Sequence, residues 1–272
     1  MRSGVIYFKQ IICKGCNFSM MTEKFNLWEN IPGTSQSVKP YITAYVPDNK
    51  KSDAAVVILP GGAYSFRSPH EGEGYAMFLA GNGVTAFVCD YRVAPDYFPC
   101  PLLDARRAIC FVRHNADKYG LDINKIGIMG SSAGGHLAAM TSTYYAPVEN
   151  ANPDETDAED FRPNFQILCY PVIELLDKTN GANIGSSYNL LNNRVLEMGE
   201  ILNPRLNISK NTPPCFIWHT FADGAVPVYN TLDYARRLKD FDIPTEVHIY
   251  PYGSHGKGLA DATDTADDKH IA

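Results

Sequence analysis

No apolar run in the 272-residue chain approaches the roughly 18–20 residues that cross a bilayer, which excludes an integral membrane protein built on helices. There is little excess of charge: 24 Lys and Arg face 30 Asp and Glu, a net of −6. Such a chain lacks the basic footprint of a general nucleic-acid binder. Cysteine is sparse, and its seven residues are an odd number spread along the whole length, which argues against a disulfide scaffold. Cys13-Lys14-Gly15-Cys16 is a lone CxxC; with no second pair it makes neither a zinc nor a redox site. Internal repeats and linker-like composition are also missing, so the chain reads as one domain. Near the N-terminus Val5-Ile6-Tyr7-Phe8 is cut by Lys9 before a signal-peptide core develops. Residues 1–24 therefore read as a disordered leader or a start-site artefact, with 25–272 as the domain and a cytoplasmic location expected.

What is present is ordinary for a globular fold: 45% apolar and 11% aromatic residues, enough to bury a substantial core. Short β-rich runs alternate with helical stretches from residue 41 onward. The expected strands are 41–46, 54–59, 84–91, 126–129, 165–170, 215–220 and 246–250. Ala55-Val56-Val57-Ile58-Leu59 is continuously apolar, the mark of a strand buried on both faces. Leu102, Ala105, Ile109, Val112, Ala116 and Tyr119 recur at helical spacing before Gly120, and Tyr229, Leu232, Ala235 and Leu238 form a second stripe. Alternating β and α along a chain gives a mostly parallel central sheet with helices on both faces. Residues 154–160, with five acids in seven, are expected to be a solvated loop rather than a metal site. Residues 174–212, rich in Asn, Gly and Ser, form an insertion of the kind that faces substrate.

The strongest chemical signal is Gly130-Ser131-Ser132-Ala133-Gly134, a G-x-S-x-G directly after an apolar strand and before a helical stretch. That context presents Ser132 as a nucleophile on a tight strand-to-helix turn. Upstream, Pro60-Gly61-Gly62-Ala63-Tyr64 leaves a strand in a small-residue turn. Its Gly62 and Ala63 N–H groups, with that of Ala133, are the candidate oxyanion hole. Asp223 and His255 lie in loops just past two later strands, where open α/β sheets place their sites. The order Ser132, Asp223, His255 is that of a hydrolase triad on an α/β sheet. Among the other histidines, His219 and His248 lie within strands, and His136 is expected to pack behind the serine rather than react. His70-Glu71-Gly72-Glu73 is not H-E-x-x-H.

The stretches at 59–64, 70–73, 90–95, 130–136, 219–223 and 253–256, in that order, resemble the acetyl esterase/lipase group of the α/β-hydrolase superfamily, which includes carbohydrate acetyl esterases and feruloyl/acetylxylan esterase-like enzymes. The resemblance implies the α/β-hydrolase fold, a serine carboxylic-ester hydrolase that removes short acyl groups from sugars, and no cofactor or metal. The partner it implies is a small-molecule ester such as an acetylated sugar or oligosaccharide, with no nucleic acid or membrane. A peptidase or lipase on the same fold, or a silent binding module, are the alternatives. Two departures stand out: Pro60 replaces the histidine of the HGGG-type loop, and Ala63 its last glycine. The backbone donors survive both changes. The stretch after His255 is polar where the family ordinarily carries a terminal amphipathic helix, so the chain is expected to stop short of it.

Overall fold

A computed structural model describes residues 5–7, 12–13, 16–17, 19–33, 39–176, 181 and 183–260. Among these, β1 (Val5–Tyr7), β4 (Met20–Asn26), β5 (Tyr41–Pro47), β6 (Ala55–Leu59), β7 (Thr85–Asp90), β8 (Ile126–Ser131), β9 (Phe165–Cys169), β10 (Cys215–Thr220) and β11 (Thr245–Tyr250) form one nine-stranded sheet. Its order is β1-β4-β5-β7-β6-β8-β9-β10-β11. The strands from β7 to β11 run parallel, and β1, β4 and β5 add an antiparallel edge. Cys13 and Cys16 sit on a separate hairpin of β2 (Ile12–Cys13) and β3 (Cys16–Asn17).

The seven expected strands form, each within about two residues of its expected ends; the central β6 and β8 are buried along their whole length, whereas the edge strand β11 is only partly covered. In β6, Ala55, Val57 and Leu59 join one core, and Val56 and Ile58 the other. The larger core is covered by α2 (Cys100–His114), α3 (Ala116–Tyr119), α4 (Ser132–Thr143), α5 (Ile184–Leu191), α6 (Val195–Met198) and α7 (Tyr229–Asp240). Among the described helices, α1 (Pro69–Gly81) alone packs on the smaller one.

Three expectations need correction. Residues 5–7 and 20–24 are not disordered leader: 5–7 form β1, antiparallel to β4, and 20–24 belong to β4, which pairs along its whole length with β5. Glu23 within it is buried, accepting hydrogen bonds from Lys118 and Tyr119. The inward face of α7 is Thr231, Tyr234 and Leu238, while Tyr229 and Leu232 are exposed. Thr231 and Tyr234 satisfy buried polar partners, His219 and Gln166, which an apolar stripe does not foresee. Within the insertion, Leu190 and Leu191 are core residues, whereas Ile184, Tyr188 and Leu196 are exposed. Its visible surface is thus less uniformly polar than composition suggests.

Candidate active site

The site lies at the carboxyl ends of the parallel strands. β8 ends at Ser131 and α4 begins at Ser132, whose φ of 53° is left-handed, a strained value for a serine. The turn is tight enough to demand its glycines. A Cβ on Gly130 would lie 2.1 Å from the Gly134 carbonyl oxygen, and one on Gly134 would lie 2.1 Å from that of Leu59. The serine is thereby lifted to the end of the sheet at the start of a helix.

Asp223 and His255, on the loops after β10 and β11, converge on it. The Ser132 hydroxyl lies 2.7 Å from His255 Nε2, and His255 Nδ1 lies 2.6 Å from Asp223 Oδ2. The tautomer with a proton on Nδ1 donates to the carboxylate and leaves Nε2 free to accept from the serine. Asp223 Oδ1 accepts the N–H groups of Ala225 and Val226, both at 2.9 Å. Burial alone would raise this carboxyl. Hydrogen bonds from His219, from His255 and from the Val226 N–H outweigh it and hold Asp223 well below the usual carboxylate range. It is therefore ionised at neutral pH.

His219, within β10, is a satisfied core histidine that also touches the acid. Its Nε2 faces the Val226 carbonyl at 2.9 Å and Asp223 Oδ2 at 3.2 Å. Two acceptors at Nε2 place the proton there, so Nδ1 accepts from the Thr231 hydroxyl. His136 stands behind the elbow, fully buried, with Nδ1 2.7 Å from the Tyr64 hydroxyl and Nε2 3.0 Å from the Leu202 carbonyl. Burial lowers it to about 4, so it is neutral. His248 is remote, paired with Glu246 on the surface.

The loop after β6 lies against the elbow: a Cβ on Gly61 would come within 3.0 Å of Ser132 Cβ. Gly62, Ala63 and Tyr64 all have positive φ, at 132°, 51° and 58°. This turn directs the Gly62 carbonyl onto the N–H groups of Ser65 and Phe66. Among the described residues the Gly62 and Ala63 N–H groups have no acceptor. Ala133 stands in the first turn of α4, where N–H groups have no intrahelical acceptor either. Asn189 of the insertion donates to the Ala63 carbonyl at 2.8 Å, so the insertion packs on this loop. Two residues beside the site were not singled out individually from the sequence, the buried Glu71 and Tyr170. Glu71 accepts the Gly61 N–H, and the Tyr170 ring stands edge-on to His255.

Comparison with known proteins gives this geometry a lineage. The profile of the BD-FAE family matches residues 42–238. Endo-1,4-beta-xylanase B of Butyrivibrio fibrisolvens is 34% identical over 225 residues, 81% of this chain and 35% of the relative. The acetylxylan esterase of Xylanibacter ruminicola is 32% identical over 231 residues, 83% of this chain and 45% of the relative. The chain thus spans less than half the length of these curated relatives. A solved structure of an acetyl ester-xyloside bifunctional hydrolase from Caldicellulosiruptor lactoaceticus superposes with a TM-score of 0.80 at 40% identity, covering 88% of this chain and 89% of that one. With the mostly parallel sheet, the elbow and the matched residues in agreement, the chain belongs to the BD-FAE family, on the α/β-hydrolase fold.

Proposed function

We propose that this protein is a serine carboxylic-ester hydrolase that removes acetyl and other short acyl groups from carbohydrate esters. The observation that carries the reading is the unbroken chain from the Ser132 hydroxyl through His255 to Asp223, at 2.7 and 2.6 Å. His255 takes the serine proton as Ser132 attacks the ester carbonyl, and Asp223 holds the ring orientation and balances the imidazolium. The free N–H groups of Gly62, Ala63 and Ala133 are the donors for the oxyanion. His255 then protonates the leaving alcohol, and water hydrolyses the acyl-enzyme by the same route in reverse. Every step uses side chains and backbone N–H groups of this chain, together with water. The sugar ester as substrate is supported by the names of the relatives, an acetylxylan esterase and an acetyl ester-xyloside hydrolase.

The test has two arms. A fluorophosphonate should label the wild type and not Ser132→Ala, which should fold normally and lose about 10⁶-fold in kcat. A p-nitrophenyl ester series from acetate to palmitate, followed by acetylated xylo-oligosaccharides, reads the substrate. A buried methylene is worth about 0.8 kcal/mol, so a true long-chain site would show kcat/KM rising with length. An optimum at acetate or propionate is expected. An optimum at octanoate or beyond, with Ile184, Tyr188 and Leu196 as its apolar surface, would overturn the short-acyl reading in favour of a lipase.

A further inference from the structure

Three consecutive residues of positive φ, Gly62 to Tyr64, make the loop after β6 a strained one. Strain of this kind persists only where the surroundings fix it. The side chain at its base is Glu71, in the first turn of α1 and 3% exposed. Glu71 makes no ion pair among the described residues. A buried carboxyl without a cation is costly, and an apolar residue would fill the same volume at less expense. What Glu71 has instead is hydrogen bonds and the start of a helix, whose N–H groups favour an acidic side chain. Its Oε2 accepts the Gly61 N–H at 2.9 Å, immediately before the candidate oxyanion donors. The fit leaves no slack, since a Cβ on Gly61 would lie 2.5 Å from that oxygen.

The other oxygen leads to the opposite wall. The Tyr170 hydroxyl donates to Glu71 Oε1 at 2.6 Å and accepts the Gly258 N–H at 2.9 Å. Gly258 lies on the loop that carries His255, and the Tyr170 ring stands edge-on to the His255 ring at 5.1 Å. One helical turn past Glu71, Tyr75 faces the same way and donates to the Gly258 carbonyl at 3.0 Å. The Ser131 hydroxyl, next to Ser132, donates to Tyr75 at 3.2 Å. His70 on the same helix holds the Gly256 carbonyl at 2.8 Å.

We infer that Glu71 is a positioning residue that sets the oxyanion loop through Gly61 and, through the Tyr170 hydroxyl, locks it to the loop carrying His255. The inference rests on the ester-hydrolase reading above for its catalytic consequence, but not for its structural one. Glu71→Ala removes both acceptors, so the donors should lose their aim. The expected loss is about 10²-fold in kcat for p-nitrophenyl acetate, the size seen when an oxyanion donor is lost, with KM changed less than about threefold. Glu71→Gln keeps an oxygen for the Gly61 N–H and should recover to within about tenfold of wild type. Tyr170→Phe keeps the ring beside His255 and cuts only the link, so it should lose less than Glu71→Ala.

Hydrogen–deuterium exchange of the peptide covering residues 60–68 supplies a readout independent of turnover. It should speed up in Glu71→Ala, revert in Glu71→Gln, and speed up in part in Tyr170→Phe. If Glu71→Ala does not fold, Glu71→Gln and Tyr170→Phe carry the test by kcat and exchange alone. Wild-type kcat with unchanged exchange in Glu71→Ala would overturn the inference. So would equal losses in the Ala and Gln variants with exchange at 60–68 unaltered, and so would wild-type kcat and exchange in Tyr170→Phe. A wild type that neither hydrolyses these esters nor takes a fluorophosphonate would instead overturn the ester-hydrolase reading, leaving exchange to decide the role of Glu71.

Discussion

Ser132, Asp223 and His255 are each conspicuous because a glycine or a strand end stands beside them: the elbow needs Gly130 and Gly134, and both loops follow apolar strands. Residues that act through them leave no such mark. Glu71 and Tyr170 are 99 positions apart, and the contact of His219 with Asp223 depends on a turn whose shape no local pattern dictates. Arg92 is a further case, legible only as part of the Asp90–Pro95 stretch. Its guanidinium is wholly buried and grips Asp104 of α2 with two hydrogen bonds of 2.8 Å, while Trp28 donates to the same carboxylate at 2.7 Å. Arg92→Met should destabilise the protein by about 3–5 kcal/mol, because removing one partner strands a buried charge. Urea unfolding reads this directly, and a loss below about 1 kcal/mol would show that Asp104 finds compensation elsewhere.

At the scale of elements, the apolar runs of β5 to β11 are legible in the sequence and the outer antiparallel strands β1 and β4 are not. Met20–Asn26 carries Thr22, Glu23 and Lys24 in its middle, so its sequence reads as polar tail. The pairing of Glu23 with Lys118 and Tyr119, about a hundred residues away, is what makes a buried acid tolerable there. The helix Ile184–Leu191 was hidden similarly inside a segment rich in Asn, Gly and Ser, since its apolar partners are supplied by the rest of the fold. The boundary has a direct consequence. Deleting residues 1–19 should leave a cooperative melt, because β4 and its seven pairings with β5 remain. Deleting residues 1–28 removes that strand together with the buried Leu27 and Trp28 and bares the edge of β5. That shorter chain should aggregate or melt at least 10 °C lower in a thermal scan. Equal melts for the two deletions would show that β4 contributes nothing to stability.

For the molecule as a whole, His136 joins segments that are remote in sequence: the elbow helix that bears it, Tyr64 of the loop after β6, and Leu202 of the insertion. The joint works only with a neutral ring, which donates from Nε2 to the Leu202 carbonyl and accepts at Nδ1 from the Tyr64 hydroxyl. Burial holds His136 at about 4 in the folded state, against about 6.5 for a histidine in the unfolded chain. As pH falls below about 6.5 the unfolded state binds this proton first, so the contribution is complete above that value and drains away down to about 4. At 1.36 kcal/mol per unit the loss reaches about 2 kcal/mol by pH 5. Asp223, whose folded value is depressed, adds its own loss only at lower pH, once the usual carboxylate range is reached. The two windows are therefore separable. Thermal melts at pH 7.5, 6.5, 5.5 and 5 should show the wild type losing about 5 °C more than His136→Gln, which offers one donor and one acceptor but no titrating ring. Other carboxylates and histidines contribute equally to both chains and cancel in the difference. Parallel pH profiles for the two proteins would place the acid sensitivity elsewhere. A divergent pair would show that the joint between elbow, loop and insertion is the part of the fold that acid releases first.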